Sequence, residues 1–153
     1  MVKLQLDHRN IIFGLEADSR DGCIRNIVDV MARNGYVGTD YADHVIAREN
    51  KYPTGLPTEG AVTAIPHAAQ GTVYRTGMAL AILAKPVYFH NMADPSQRLP
   101  VEIVCVLANV DPDQQLSDLR RLMACFSEEE RLLALRAATR PEQVAEILAA
   151  AED

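Results

Sequence analysis

The stretch Val101-Glu102-Ile103-Val104-Cys105-Val106-Leu107-Ala108 constrains the fold more than any other part of the chain. Its inner five residues are apolar without alternation, which suits a central strand covered on both faces. A buried helix segment would look similar, but the stop at Asn109-Val110-Asp111-Pro112 argues for the strand. Shorter apolar runs at 61–65, 78–83 and 87–89 read as companion strands. Helical patterns lie on either side of these runs in the sequence. The predicted fold class is therefore α/β, a layered single domain with a central mixed β-sheet flanked by helices.

The helices announce themselves by spacing and caps. Ile24, Ile27, Val28 and Met31 follow helical periodicity behind the capping candidates Asp18, Ser19 and Asp21, and Gly35 can close that helix. A second helix runs from Thr39 or Asp40 to about Asn50, with Tyr41, Val45 and Ala47 as inward candidates. Lys51-Tyr52-Pro53 ends it, because a residue before proline avoids the helical region. Residues 53–60 carry two prolines and two glycines and read as a loop. Beyond the central strand, Asp111 can cap a helix with Pro112 in first position and Leu116, Leu119, Leu122, Met123 and Phe126 as its apolar stripe. Ser127 with Glu130, and Thr139 with Glu142, have capping-box spacing. They precede Leu132, Leu133 and Leu135 in one helix and Val144, Ile147, Leu148 and Ala151 in another.

Composition removes several function classes. The 153 residues fit one domain, taken as residues 1–153. The net charge of −6 is uneven: residues 1–110 hold 11 acids and 10 bases, and residues 111–153 hold 10 acids and 5 bases. An acidic end without a basic patch argues against nucleic acid. No apolar run reaches the roughly 18 to 20 residues of a membrane span, and Asp7 comes too early for a secretion signal. Cys23, Cys105 and Cys125 are odd in number and have no CxxC spacing, so they read as reduced, mostly buried residues of a cytoplasmic protein.

Four histidines are candidates for chemistry. His8 and His90 read as solvated or core-edge residues, while His44 shares a helix face with Arg48, four residues on. His67 follows Ala64-Ile65-Pro66, so an apolar strand delivers it to a point where Pro66 restricts the backbone. There, with one ring nitrogen facing out, it can serve as nucleophile, general base or metal ligand, or be an ordinary strand-end histidine. No short His spacing or Cys/His cluster supports a metal, no GxSxG a serine hydrolase, and no GK[ST] a P-loop. Arg48, the donor-rich loop Thr54-Gly55-Leu56-Pro57-Thr58 and His67 together supply what a phosphoryl group needs: a guanidinium and hydrogen-bond donors for its oxygens, and an imidazole nitrogen to attack phosphorus.

Three segments, Ala47-Arg48-Glu49, Tyr52-Pro53-Thr54-Gly55-Leu56 and Ala64-Ile65-Pro66-His67-Ala68, stand in an order that resembles the enzyme IIA components of the bacterial sugar phosphotransferase system, fructose/mannitol class. Two departures from the common pattern resemble its galactitol-type branch. Thirteen positions separate Thr54 from His67, a stretch with prolines and a glutamate where the common form is shorter and glycine-rich. The second active-site histidine of many members is absent, and Asp113-Gln114-Gln115-Leu116 occupies its region.

The resemblance implies a phosphohistidine carrier. His67 would accept a phosphoryl group on Nε2 from the phosphohistidine of HPr and pass it to a cysteine of enzyme IIB, for uptake of a sugar or galactitol-like polyol. Arg48 would pair with the phosphoryl oxygens, Thr54 is a weaker candidate for a hydroxyl contact, and Gln115 could orient the ring without carrying charge. No cofactor or metal is required. The protein would be peripheral to a membrane transporter complex, and both partners would dock on a flat apolar surface left open by Ala68 and Ala69. Two alternatives stay open: a regulatory protein of the same fold controlled by His67 phosphorylation, and a non-covalent module binding a small anion or sugar in the Arg48/Thr54 pocket.

Overall fold

The structure, a computed structural model, describes residues 6–150. The chain runs β1 (Leu6–Leu15), α1 (Arg20–Arg33), α2 (Tyr41–Lys51), β2 (Gly55–Leu56), β3 (Thr63–Ala64), β4 (Gly77–His90), β5 (Arg98–Ala108), α3 (Pro112–Phe126), α4 (Glu129–Ala137) and α5 (Pro141–Ala150). The strands form one mixed sheet in the order β1-β4-β5-β3-β2. The β1–β4 and β3–β5 pairs are parallel, and the β4–β5 and β2–β3 pairs antiparallel.

The unbroken apolar run becomes β5, the middle strand, and both of its faces are covered. Val104, Val106 and Ala108 join a layer with Ile24, Ile27 and Met31 of α1 and Tyr41 and Val45 of α2. Ile103, Cys105 and Leu107 meet Leu122 and Phe126 of α3, Leu132 and Leu135 of α4, and Val144 and Leu148 of α5. At Glu102 the alternation changes phase, so that Val101 and Leu99 return to the α1/α2 layer. The cause is local: the β4–β5 register shifts between Ile82 and Val87, and the Val62 carbonyl accepts from both Glu102 N and Ile103 N.

Helix ends follow the sequence in places. Ser19 caps α1, its hydroxyl accepting from Gly22 N at 3.0 Å. Gly35, at φ +83°, closes the same helix with Tyr36 N on Met31 O and Gly35 N on Ala32 O, a Schellman arrangement that needs the left-handed backbone glycine adopts without strain. Asp111 caps α3 through Asp113 N.

Other expectations are corrected. The strand β1 has no counterpart in the sequence reading, because after Leu6 this edge strand continues with Asp7, His8, Arg9 and Asn10 and shows no apolar alternation. The runs 78–83 and 87–89 are one strand, β4; exposed Ala84-Lys85-Pro86 spans the register shift, beyond the last β1 partner at Leu83, where a missing N–H breaks no ladder. The loop 53–60 contains β2. Ala47 is exposed, and Ile46 and Glu49 take the inward face of α2. Leu116 and Met123 are exposed as well, since α3 turns Gln115 and Asp118 inward, and so is Leu133, since α4 turns Leu132 and Leu135 inward. Neither capping box forms as spaced. The Ser127 hydroxyl donates to Ala124 O at the end of α3, and Gln143, one residue later than Glu142, accepts from Thr139 N, Thr139 Oγ1 and Arg140 N. Ala151 lies outside the described residues. Cys23, Cys105 and Cys125 are buried as expected and form no disulfide with one another, and among the described residues no helix is long and apolar enough to cross a membrane.

Candidate functional site

The chain leaves the sheet at the end of β3, and His67 sits just past that exit. Pro66 offers no N–H, but its carbonyl accepts from Leu107 N of β5 at 3.1 Å, one more rung after the ladder proper has stopped. The next rung is supplied by a side chain. The Tyr41 hydroxyl, fully buried on α2, donates to Leu107 O at 2.7 Å and accepts from Ala68 N at 3.2 Å. On the far side, Ile65 N donates to Thr54 O at 3.3 Å, and Ala68 O accepts from Gln115 Nε2 at 2.8 Å. Backbone groups on both sides of His67 are thus anchored to β5, α2, α3 and the loop after α2. A short irregular segment becomes a rigid mount for one ring.

The ring itself is bonded at both nitrogens. Nδ1 lies 2.8 Å from Ile65 O; a carbonyl only accepts, so Nδ1 carries the proton. That leaves the lone pair on Nε2, which accepts from Arg48 Nε at 3.1 Å. Burial pushes the His67 pKa below its ordinary value; the Ile65 carbonyl opposes this, and the positive charge of Arg48 adds to it. The ring is therefore neutral at physiological pH, in one tautomer, with Nε2 as its nucleophilic atom. Only 5% of the residue is exposed. The expected outward-facing nitrogen is corrected here: Arg48, projecting from α2, covers it.

Arg48 is partly exposed and forms no ion pair among the described residues. Its guanidinium carbon lies 5.0 Å from the centroid of the Tyr52 ring. It borders a cavity of about 300 Å³ lined also by His44, Lys51, Tyr52, Ala68 and Gln70, so three basic side chains line one cavity, and one of them, Arg48, bonds the imidazole. The predicted sharing of one helix face by His44 and Arg48 is thus seen, with His44 3.8 Å from Asp40 Oδ2. His90 is structural, its Nδ1 2.8 Å from Pro95 O in the β4–β5 turn, and His8 is exposed.

The other two candidates do different work from that expected. Thr54 is 2% exposed, and its hydroxyl and N–H both donate to Glu49, at 2.8 and 2.7 Å. With its proton committed to a buried carboxylate, the hydroxyl holds the loop and does not reach toward His67. Gln115 places its amide on Ala68 O and its carbonyl oxygen on Asn109 Nδ2, so it steadies the chain after His67 and leaves the ring untouched.

Two supporting residues escaped the sequence reading. Glu49 was visible only as a neighbour of Arg48, and Tyr41 only as core. Glu49 falls four residues after Val45, on the apolar face of α2, and an acid at such a position signals a buried partner. Burial raises its pKa, against the Thr54 hydrogen bonds and the charges of Arg20 and Arg48. The cysteines have no such setting: burial pushes the Cys23 thiol up to about 12 and Cys105 higher still, so neither is a thiolate at neutral pH.

Residues 4–151 match the family described as Phosphoenolpyruvate-dependent sugar phosphotransferase system, EIIA 2. The PTS system galactitol-specific EIIA component of Escherichia coli (strain K12) is 30% identical over 117 residues, covering 76% of this chain and 77% of that protein. The transcriptional regulator ManR of Bacillus subtilis (strain 168) is 30% identical over 102 residues, 67% of this chain, and the chain spans only 14% of that regulator's length. Among solved structures, enzyme IIAMtl in its complex with phosphorylated enzyme IIBMtl from Escherichia coli superimposes with a TM-score of 0.78 at 24% identity, over 96% of this chain and 99% of that one, a likeness of fold.

Proposed function

The chain belongs to the EIIA 2 family of the phosphoenolpyruvate-dependent sugar phosphotransferase system, and from that footing we propose that it is a cytoplasmic phosphocarrier. It takes a phosphoryl group from the phosphohistidine of HPr onto His67 Nε2 and passes it to a cysteine of enzyme IIB. The transferred group supports uptake of a sugar or galactitol-like polyol. The observation that carries the reading is the ring's pair of hydrogen bonds, Nδ1 to the Ile65 carbonyl and Nε2 to Arg48.

That geometry supports the following steps. Arg48 releases the Nε2 lone pair and turns its N–H groups to the phosphoryl oxygens, offsetting the charge that builds on them. The lone pair attacks phosphorus; the donor's N–P bond breaks, and its electron pair returns to the donor imidazole. Nδ1 keeps its proton on Ile65 O, so the phosphorylated ring is an imidazolium and a good leaving group. In the second step a thiolate attacks phosphorus, the Nε2–P bond breaks, and the neutral ring is restored. Nitrogen-to-nitrogen exchange is nearly thermoneutral, so the protein's task is positioning and charge stabilisation.

Incubation with phosphoenolpyruvate, enzyme I and HPr should give an acid-labile, base-stable phosphoprotein that is lost in His67→Ala. Persistence of the label in that variant refutes the reading. The similarity to a transcriptional regulator favours one second reading, in which His67 phosphorylation controls binding to another target. Failure of any IIB to discharge the phosphorylated protein would select it.

A further inference from the structure

Resting on the functional reading above, we propose that Tyr52 is a positioning residue for Arg48, its ring a platform that keeps the guanidinium within reach of His67 Nε2 through the transfer. Tyr52 is the C-cap of α2 and its N–H donates to Arg48 O at 2.7 Å, so residues 48 and 52 lie one turn apart at the helix end. Pro53 excludes the helical conformation at Tyr52, which takes φ −133° and ψ 87°. The ring folds back over the last turn, with the Arg48 guanidinium carbon 5.0 Å and Lys51 Nζ 5.9 Å from its centroid.

The platform answers a mechanical problem in the site. In the resting protein Arg48 covers the atom that must attack, so it has to leave Nε2 and still be beside it when phosphate oxygens arrive. A long flexible side chain without a carboxylate partner would scatter into solvent on leaving. An aromatic face holds a guanidinium without fixing its rotation, and so permits a slide from ring nitrogen to oxygen. Tyr52 is itself 55% exposed, so its ring is not held by the core and is open to the guanidinium.

The test uses the isolated protein and needs no partner. Arg48 is the charged group acting on His67, and its departure raises the ring's pKa; the backbone groups of Ile65 and Leu107 that hold the segment are uncharged. Loss of an exposed cation–π contact lowers occupancy of the seated guanidinium about two- to fivefold. NMR titration of the His67 ring should therefore show an upward shift in Tyr52→Leu, smaller than in Arg48→Ala and absent in Tyr52→Phe. Phosphorylation of Tyr52→Leu by HPr should slow about two- to fivefold. An unchanged His67 titration in Tyr52→Leu overturns the proposal even if phosphorylation slows, because Tyr52 is then a docking contact only. A titration shift in Tyr52→Phe equal to that in Tyr52→Leu overturns it as well. If the wild type took no phosphoryl group at all, the functional reading would fail while the titration still judged the role of Tyr52.

Discussion

Removal of a single oxygen, in Tyr41→Phe, probes whether His67 is mounted as described. The hydroxyl makes two buried hydrogen bonds, one to Leu107 O and one from Ala68 N, and the residue has no exposure. Each buried bond contributes about 1 kcal/mol net, and an orphaned buried N–H or C=O costs about 1 to 3 kcal/mol. Phenylalanine fills the same space, so no cavity forms, and the expected loss is about 2 to 6 kcal/mol, carried by the two orphaned backbone groups. In a domain of ordinary stability that is a large fraction of the total. Urea unfolding followed by circular dichroism should show a lower midpoint with an unchanged slope. Phosphorylation of His67 should slow too, because the segment 66–68 loses its tie to α2. A loss below about 1 kcal/mol would mean that another group satisfies Ala68 N–H and Leu107 O. The hydroxyl would then not be the rung that extends the sheet.

Arg48→Ala should slow phosphorylation about ten- to a hundredfold, the scale of one or two charge-assisted hydrogen bonds, with little change in unfolding midpoint; an unchanged rate would remove Arg48 from the transfer. Thr54→Val strips one buried oxygen of Glu49 of its donor and should cost about 1 to 3 kcal/mol in urea unfolding, while Thr54→Ser retains the bond and most of the stability. An undiminished midpoint in Thr54→Val would show that the hydroxyl bond to Glu49 contributes nothing, and an equal loss in Thr54→Ser that the methyl packing matters as much as the hydroxyl. The depressed pKa of His67 sets a pH dependence: below about 6.5 the unfolded chain takes up a proton that the folded ring refuses, so stability falls as pH drops through the ordinary histidine value. At higher pH the ring is neutral in both states and its contribution is constant. Urea midpoints between pH 5 and 8 should fall less steeply on acidification in His67→Gln, and parallel profiles would contradict the assignment.

The local parts of this protein are legible in its sequence. The apolar run at β5 requires cover on both faces, Ser19 and Gly35 bracket α1, and Asp111 with Pro112 starts α3. Such signals act over a few residues, through backbone conformation and nearest hydrogen bonds. They fail where two demands compete for one residue, as at Ser127, which closes α3 and so is not free to open α4.

Residue types and order alone brought His67 and Arg48 to attention as a pair. Only the folded chain decided that Arg48 lies on Nε2, that Thr54 serves Glu49, and that Gln115 serves Ala68. The physical reason is separation along the chain. The bonds that mount the histidine join Tyr41 to Ala68, Tyr41 to Leu107 and Ala68 to Gln115, groups 27, 66 and 47 positions apart. Their meeting depends on how the layers pack against the sheet, and no local periodicity encodes it.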